Sequence, residues 1–211
     1  MKVLLVNGSP HPKGCTHTAL EEVASALNEN GIETEIFWIQ NKPIGGCIAC
    51  GRCADLHKCV FDDVVNVFIE KAREADGFVF GTPVHYAAAS GNMTAFMDRA
   101  FYAGSRAEGP NRFFFKPAAA ICSARRGGTT ATFDQLNKYM TIAQMPIVSS
   151  AYWNMVHGSN PEQVRQDEEG MQCMRTLGAN MAYMIKAFAA ARNEGLEPPT
   201  SETKVYTNFI R

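Results

Sequence analysis

Five short apolar runs alternate with stretches of helical periodicity along this chain, and this alternation limits the folds that it can form. The runs are typical of strands and cover residues 2–6, 34–39, 77–81, 118–122 and 147–152. Parallel strands need a long crossover connection, usually a helix, and such crossovers are right-handed. We therefore predict an α/β fold in which a doubly wound, five-stranded parallel sheet carries helices on both faces.

The stretches between the runs predict helices with recognisable ends. They cover residues 18–28, a segment opened by Asp62 and Asp63, and residues 91–103, 129–141 and 162–191. Thr18 and Glu21 have the spacing of a capping box, and Gly31 is a good helix stop. The methionines at helical spacing in the last helix are typical of core packing. Residues 195–211 lose the periodicity, which predicts a C-terminal tail or an arm on a neighbouring subunit.

The charge balance argues against two classes of partner. The 211 residues carry a formal net charge of −1, so no basic surplus exists to attract a nucleic acid. The N-terminal apolar run is broken at Asn7-Gly8, too early for a signal peptide, and no later stretch approaches the ~20 apolar residues of a membrane span. We therefore expect a cytoplasmic protein that binds neither nucleic acid nor membrane.

The loop after the first run has the composition of an anion site. It passes from a strand into a helix, where free backbone N–H groups and the helix dipole favour a phosphate. Ser9, Thr16 and Thr18 add hydroxyl groups, while Gly8 and Gly14 allow close backbone approach. The loop matches neither the Walker A pattern nor G-x-G-x-x-G. A polar turn that only begins a helix is the alternative interpretation.

Two further loops follow the third and fourth runs and therefore lie at the same edge of the predicted sheet. The first carries Pro83, Val84, His85 and Tyr86, which could line one side of a flat ring. The second, residues 122–129, carries two arginines and two glycines, which could favour a reduced flavin. Each could also be an ordinary surface connection. One phosphate loop and two ring-lining loops together favour FMN.

Four of the seven cysteines fall in the pattern Cys47-x2-Cys50-x2-Cys53-x5-Cys59. Thiolates at this compact spacing can ligate a [4Fe–4S] cluster. Four thiolates also suit zinc by their number, and a loop of free thiols packed beside the flavin is equally compatible with the sequence. All three interpretations stay open at this stage. Of the other three cysteines, Cys122 and Cys173 lie in apolar surroundings and are predicted to be buried as small hydrophobic residues.

Several ordered motifs, which together span most of residues 1–190, resemble a known family. They are VLLVNGSPHPKGCTHTAL, GCIACGRC followed by a fourth cysteine and DD, EADGFVFGTPVHYAAASGNMTAFMDR, ARRGG and DEEGMQCMRTLGANMAYMIK. The chain resembles the NAD(P)H-dependent FMN reductase branch of the flavodoxin-like flavoproteins, especially the iron–sulfur flavoproteins. The resemblance implies a single flavodoxin-like, FMN-binding domain over residues 1–211, strand order 2-1-3-4-5, and a homodimer or homotetramer.

The resemblance also assigns cofactor contacts residue by residue. The phosphate contacts are Ser9, Thr16, His17 and Thr18, the contacts along the isoalloxazine are Pro83, Val84, His85 and Tyr86, and those at its far side are Ser123, Arg125, Arg126, Gly127 and Gly128. In the iron–sulfur flavoproteins the compact cysteine motif holds a [4Fe–4S] cluster. Cys47, Cys50, Cys53 and Cys59 are the matching candidates here.

These patterns lead to a first hypothesis and two alternatives for the function. The first is an FMN-dependent oxidoreductase that passes electrons from NAD(P)H to a small acceptor such as a quinone, a nitro- or azo-aromatic, or a flavin. His85 and Tyr86 are its only candidate catalytic residues. The second is an electron-transfer carrier with FMN, a [4Fe–4S] cluster and a ferredoxin-type partner. The third is a redox- or metal-sensing thiol protein without flavin.

Overall fold

The structure is a computed structural model that describes residues 1–200, 202–203 and 205–209. Strands and helices alternate along most of the chain, as the sequence predicts. The strands are β1 Lys2–Asn7, β2 Glu33–Trp38, β3 Gly77–His85, β4 Ala88–Ala89, β5 Ala118–Ala124 and β6 Met155–His157. The helices are α1 Cys15–Glu29, α2 Cys53–Leu56, α3 Val64–Lys71, α4 Gly91–Gly104, α5 Thr129–Ile142, α6 Pro161–Gln166 and α7 Glu168–Asn193.

Five of the strands form a parallel sheet in the order β2-β1-β3-β5-β6. In sequence order of these five strands this is 2-1-3-4-5, so the predicted fold class and strand order are confirmed. The side chains of β1 show why both faces are covered. Leu4 and Val6 belong to the apolar core on one face, and Val3 and Leu5 to the core on the other. Both sets are fully buried. Because successive residues of a strand point to opposite faces, their burial shows that both faces of the sheet are covered.

The fifth strand lies later in the chain than predicted. Residues 147–152 were expected to form it, but only Ile147 makes a single bridge, to Ala118, before the chain leaves the sheet. The chain returns at β6, where Asn154 accepts a backbone hydrogen bond from Cys122 and donates its side-chain amide to the carbonyl of Ala120. Tyr152 lies in this segment outside the sheet and is half exposed. The apolar residues at 147–148 therefore precede the strand and do not form it.

Two helix boundaries also differ from prediction. Helix α1 begins at Cys15, three residues early, and the predicted capping box is wrong, because the N-cap is Gly14 without a side-chain cap. The predicted helix over residues 162–191 is two helices, separated at Asp167. The Asp167 carboxylate caps α7 by accepting from the Gly170 N–H. The Asp63 carboxylate caps α3 by accepting from the Val65 N–H, close to where the sequence predicted this helix to begin. No helix in the described part of the chain is long and apolar enough to cross a membrane.

Helices α1 and α7 approach each other closely at Gly178. A Cβ atom at this position would lie 2.7 Å from Cβ of Ala26 and 2.8 Å from the carbonyl oxygen of Val23. In a helix interior, alanine is more stabilising than glycine by about 1 kcal/mol. Overpacking of a buried contact costs about 1–3 kcal/mol and should outweigh that gain.

We therefore expect Gly178→Ala to lower the free energy of unfolding, measured by urea denaturation, by up to about 2 kcal/mol. The matched control is Gly91→Ala at the start of α4, where a Cβ would meet no atom within 4 Å. This control should leave the stability unchanged or raise it. A Gly178→Ala protein more stable than the parent would show that α1 and α7 are not packed as described.

Candidate functional site

The loops after β1, β3 and β5 meet at the carboxyl edge of the sheet. The backbone N–H of Gly8 donates to the carbonyl oxygen of Gly81 at 2.8 Å, and the Ser90 hydroxyl donates to the Gly8 carbonyl oxygen at 3.0 Å. The hydroxyls of Thr16 and Ser123 are hydrogen-bonded at 2.8 Å. These bonds connect all three loops directly. Ligands of doubly wound sheets bind at this edge, where the strand order reverses.

The first loop presents backbone N–H groups at the start of α1. The N–H groups of Cys15, Thr16 and His17 have no acceptor among the hydrogen bonds of the described residues. Ser9 is buried, and its hydroxyl accepts from the His11 N–H, which shapes the loop. Unpaired N–H groups at the positive end of a 15-residue helix form a site suited to a phosphate.

The hydroxyls of this loop point into the protein. The Thr16 hydroxyl bonds Ser123, and the Thr18 hydroxyl donates to the Gly14 carbonyl oxygen at 3.3 Å. His17 is half-buried, and its Nδ1 lies 3.3 Å from a carboxylate oxygen of Glu21. The backbone therefore supplies the donors at this site, and the threonine side chains hold the loop in shape.

The second loop is a hairpin that the sequence analysis missed. Strand β4 pairs antiparallel with the end of β3, and the two turn residues Tyr86 and Ala87 have φ values of 52° and 59°. Turns with two such residues usually carry Asn-Gly, so Tyr-Ala gives no sequence signal for one. The Tyr86 side chain is fully exposed and His85 is exposed, while Pro83 and Val84 are half-buried. The hairpin presents an aromatic ring at the edge of the site.

The third loop packs against this hairpin through Gly128. Its φ is 97°, and a Cβ atom there would lie 2.7 Å from Cα of Ala87. Ser123 is buried beneath the loop, whereas Arg125 and Arg126 are exposed at its tip. The predicted contact residues of all three loops therefore lie around one edge of the sheet, which we call the rim. Their roles toward a cofactor stay predictions.

Gly128→Ala is expected to destabilise the cofactor-free protein by more than about 1 kcal/mol, because the added Cβ meets backbone and the φ value is unfavourable for alanine. Thermal denaturation of the cofactor-free protein measures this effect. Gly127→Ala is the control, since a Cβ on the neighbouring glycine meets no atom within 4 Å. Equal stability of the two variants would contradict the described contact between the third loop and the hairpin.

The cysteine loop forms a second feature beside this rim. It is anchored to the start of α4, where Asn92 accepts from the Ile44 N–H and donates to the carbonyl oxygen of Lys42. Cys53 is buried, Cys59 is half-buried, and the other two motif cysteines are exposed. One pocket is lined by Cys47, Ile48, Cys50, Gly51, Cys53, Cys59, Val60, Phe61, Arg99, Tyr102 and Ala103. All four cysteines of the motif thus face one concave, largely apolar surface.

The electrostatics of Cys53 indicate that the thiols are close neighbours. Burial raises the pKa of Cys53, and the proximity of Cys50 and Cys59 raises it further, while Arg106 opposes the shift. A thiol whose pKa is raised in this way stays protonated in the absence of a cation. Positive charge from a metal centre would remove that penalty.

The donor set distinguishes between a single ion and a larger cluster. Zinc–sulfur bonds are about 2.3 Å, so four zinc ligands lie within about 4 Å of each other. No three His, Cys, Asp or Glu side chains of the described residues are arranged to hold a metal ion. A [4Fe–4S] cluster binds one thiolate at each of its iron atoms, and four thiols line this one pocket. The residues present therefore fit a [4Fe–4S] cluster.

A buried arginine behind the pocket was missed in the sequence analysis. Arg99 of α4 is 1% exposed and donates to the Cys59 sulfur at 3.2 Å. Burial alone would lower the pKa of Arg99, but its bonds to Asp63 and Cys59 more than offset this and raise it above the usual value. The sequence signal is an arginine on the apolar helix face that also carries Phe96 and Ala103, both buried.

The strand order and the three-loop rim at its reversal point define a flavodoxin-like protein. A flavodoxin from the domain Archaea has this fold at a TM-score of 0.60 and 14% identity, over 88% of this chain and 99% of that chain. A model of the NADPH-dependent FMN reductase family matches residues 1–160. This chain belongs to that family.

Proteins similar to this chain include an iron–sulfur flavoprotein and a flavin-bound protein of known structure. An iron–sulfur flavoprotein of Methanocaldococcus jannaschii is 32% identical over 197 residues, which is 88% of this chain and 98% of that relative. RosB, solved with a bound 8-demethyl-8-formylriboflavin-5'-phosphate, shares the fold at a TM-score of 0.72 and 16% identity, over 100% of this chain and 94% of that one.

Family membership makes the chain an oxidoreductase of the FMN reductase type. The homodimer or homotetramer expected from the resemblance stays a prediction.

Proposed function

We propose that this chain is an FMN-dependent oxidoreductase in which Cys47, Cys50, Cys53 and Cys59 hold a [4Fe–4S] cluster. Electrons would pass between the flavin and a one-electron partner of the ferredoxin type. The observation that carries the proposal is that all four cysteines line one pocket, beside a sheet edge with an anion-binding helix terminus. The iron–sulfur flavoproteins among the relatives support the same assignment.

The residues of the rim would bind FMN in two ways. The N–H groups of Cys15, Thr16 and His17 would hold the phosphate, with the helix dipole adding to the attraction. The hairpin residues and the loop with Arg125 and Arg126 would lie on either side of the ring. FMN supplies the exchange of one or two electrons, and the protein binds and orients it. Ser123 contributes by fixing Thr16 and thereby the shape of the phosphate loop.

The cysteine loop would hold the cluster in a partly apolar setting. Cys53 and Cys59 lie on the protein side of the pocket, and Cys47 and Cys50 lie on its solvent side. A cluster supplies one-electron transfer at a potential set by its surroundings. The exposed cysteines place one side of the site within reach of an external electron donor or acceptor.

A second candidate function is an NAD(P)H-dependent reductase of small acceptors, in which the four cysteines of the loop are free thiols. The exposed hairpin favours it, because His85 and Tyr86 leave that side of the rim accessible to a stacked nicotinamide or quinone. The same two residues would position the ring system and the acceptor. The family model also describes NADPH-dependent enzymes.

An anaerobic reduction experiment separates the two candidates. The FMN-loaded protein is mixed with reduced ferredoxin, with NADPH or with NADH, and the flavin absorbance is followed by stopped flow. We expect ferredoxin to reduce the flavin in the parent protein, and to do so far more slowly in Cys59→Ser, while dithionite reduces both. Fast reduction of both proteins by a nicotinamide, with no response to ferredoxin, would favour the second candidate.

A further inference from the structure

We propose that Arg99 is a positioning residue that holds both ends of the cysteine loop and hydrogen-bonds the Cys59 sulfur, so that it raises the reduction potential of the cluster. This inference rests on the proposed function, since it assumes a cluster ligated by Cys59. It concerns a residue outside the cysteine motif, on helix α4.

The guanidinium of Arg99 uses all of its donors. It has five N–H groups in a fixed planar fork. Nε donates to Cys59 Sγ at 3.2 Å, and Nη1 and Nη2 donate to the two Asp63 carboxylate oxygens at 2.7 and 2.8 Å. The remaining two N–H groups donate to the carbonyl oxygens of Gly45 at 3.2 Å and Phe61 at 3.3 Å. Every donor thus has a partner within the loop or at its end.

These partners lie on both sides of the cysteine motif in the sequence. Gly45 precedes Cys47 by two residues, while Phe61 and Asp63 follow Cys59. One buried side chain therefore closes the loop at its base. A buried charge is tolerated only when it is paired and hydrogen-bonded, as Arg99 is. Removal of the guanidinium would free the two ends of the loop together.

Cys59 is held from its backbone as well. Its N–H donates to the side-chain oxygen of Asn66 at 2.9 Å, and the Asn66 amide donates to the carbonyl oxygens of Cys59 and Phe61. Cys59 is thus fixed at both sulfur and backbone, in contrast to the exposed Cys47 and Cys50. A rigid fourth ligand would set the position at which the more exposed ligands close around a cluster.

The hydrogen bond to sulfur also has an electrostatic consequence. One-electron reduction adds one negative charge to a cluster and its thiolates. Hydrogen bonds to the ligand sulfurs and nearby positive charge favour the reduced state. Arg99 supplies the hydrogen bond from a buried position, and the Asp63 carboxylate balances part of its positive charge. It should therefore make reduction more favourable than a neutral side chain would.

The structure offers a matched control in Arg112. It is also 1% exposed, but it donates to three backbone carbonyl oxygens, those of Ile69, Pro110 and Glu108. None of its hydrogen bonds reaches a cysteine. Replacement of either arginine removes a buried cation from its network, but only Arg99 touches a proposed ligand.

The test compares Arg99→Gln with Arg112→Gln after anaerobic purification. Iron, sulfide and FMN are assayed, and the cluster potential is measured by an EPR-monitored redox titration. We expect Arg99→Gln to keep FMN and to shift the reduction equilibrium of the cluster at least tenfold toward the oxidised form, about 59 mV for one electron. Arg112→Gln should leave the potential unchanged. Arg99→Lys, which keeps the charge, should recover part of the shift.

A double variant separates the effect on the cluster from misfolding caused by the unpaired Asp63 carboxylate. Asp63→Asn combined with Arg99→Gln removes that charge, and asparagine still caps α3. A negative shift in this double variant as well, smaller than in Arg99→Gln because the Asp63 charge is also removed, or selective loss of iron with FMN retained, supports the proposal. An unchanged cluster potential in both Arg99→Gln and the double variant overturns the proposal. Equal loss of iron and FMN in Arg99→Gln and Arg112→Gln also overturns it. Parent protein without iron overturns the proposed cluster itself.

Discussion

Replacement of Cys59 by serine is expected to reduce the iron content of the anaerobically purified protein from about four atoms per chain to nearly none. Serine is a poor ligand for iron–sulfur clusters, and the other three cysteines lie in a loop that this residue helps to fix. The fold should persist, because the serine hydroxyl can still accept the hydrogen bond from Arg99. Iron, acid-labile sulfide and bound FMN, assayed on one sample, measure the effect.

Cys173→Ala is the matched control for this substitution. Cys173 is a 3%-exposed residue of α7 in the core on the opposite face of the sheet from the cysteine loop. Its replacement should lower stability modestly and leave iron and FMN unchanged. Cys59→Ser protein that keeps its full iron content would contradict the ligand assignment. Simultaneous loss of FMN would show that the effect is general unfolding.

The substitution His17→Asp is expected to weaken FMN binding at least about tenfold, which corresponds to 1.4 kcal/mol. Position 17 lies in the first turn of α1, and its N–H is one of the three proposed phosphate donors. A carboxylate there repels the phosphate dianion. The same carboxylate interacts favourably with the helix dipole, so the stability of the cofactor-free protein should change by less than about 1 kcal/mol.

Two comparisons isolate the phosphate contact. Asn28→Asp adds the same charge near the other end of α1 and should leave FMN affinity unchanged. Riboflavin lacks the phosphate, so its affinity should be the same for the parent and for His17→Asp. Isothermal titration with both ligands measures these affinities. Equal loss of riboflavin and FMN affinity would contradict a phosphate site at the start of α1.

The fold was predictable because its parallel strands are buried on both faces. Such strands are short apolar runs, as in β1 and β3, and their connections carry the glycines and hydroxyl residues of the site. The burial of Cys122 and Cys173 was predicted for the same reason and is confirmed. Of the α7 methionines, Met171, Met174 and Met181 are buried, and Met184 is partly buried against the same core. Local composition was sufficient wherever burial alone determined the structure.

The mistakes arose where tertiary contacts decide the local structure. The edge strand β6 is three residues long, and its position depends on the side-chain bond from Asn154 to Ala120. The turn at Tyr86 and Ala87 has an unfavourable backbone conformation that only its neighbours stabilise. Arg99 resembled an ordinary helix residue, because its partners come from a loop that precedes it by more than 30 residues.

The cysteines show the limit of spacing as evidence. Their pattern permitted a cluster, free thiols or zinc, since spacing describes the chain and not the surface around it. The structure adds the shared pocket, the buried Cys53 and the Arg99 bond to Cys59. Those features support the proposed cluster, and the local motif contains none of them.

The cofactor content of the protein purified under strict anaerobiosis shows whether the chain is an iron–sulfur flavoprotein. Absorbance spectra, FMN released by denaturation, and iron and sulfide assays are made on one sample. We expect one FMN, with about four iron and four sulfide per chain. Flavin without iron would leave an FMN reductase with a thiol loop. A protein with neither iron nor flavin, even after incubation with FMN, would contradict the central claim.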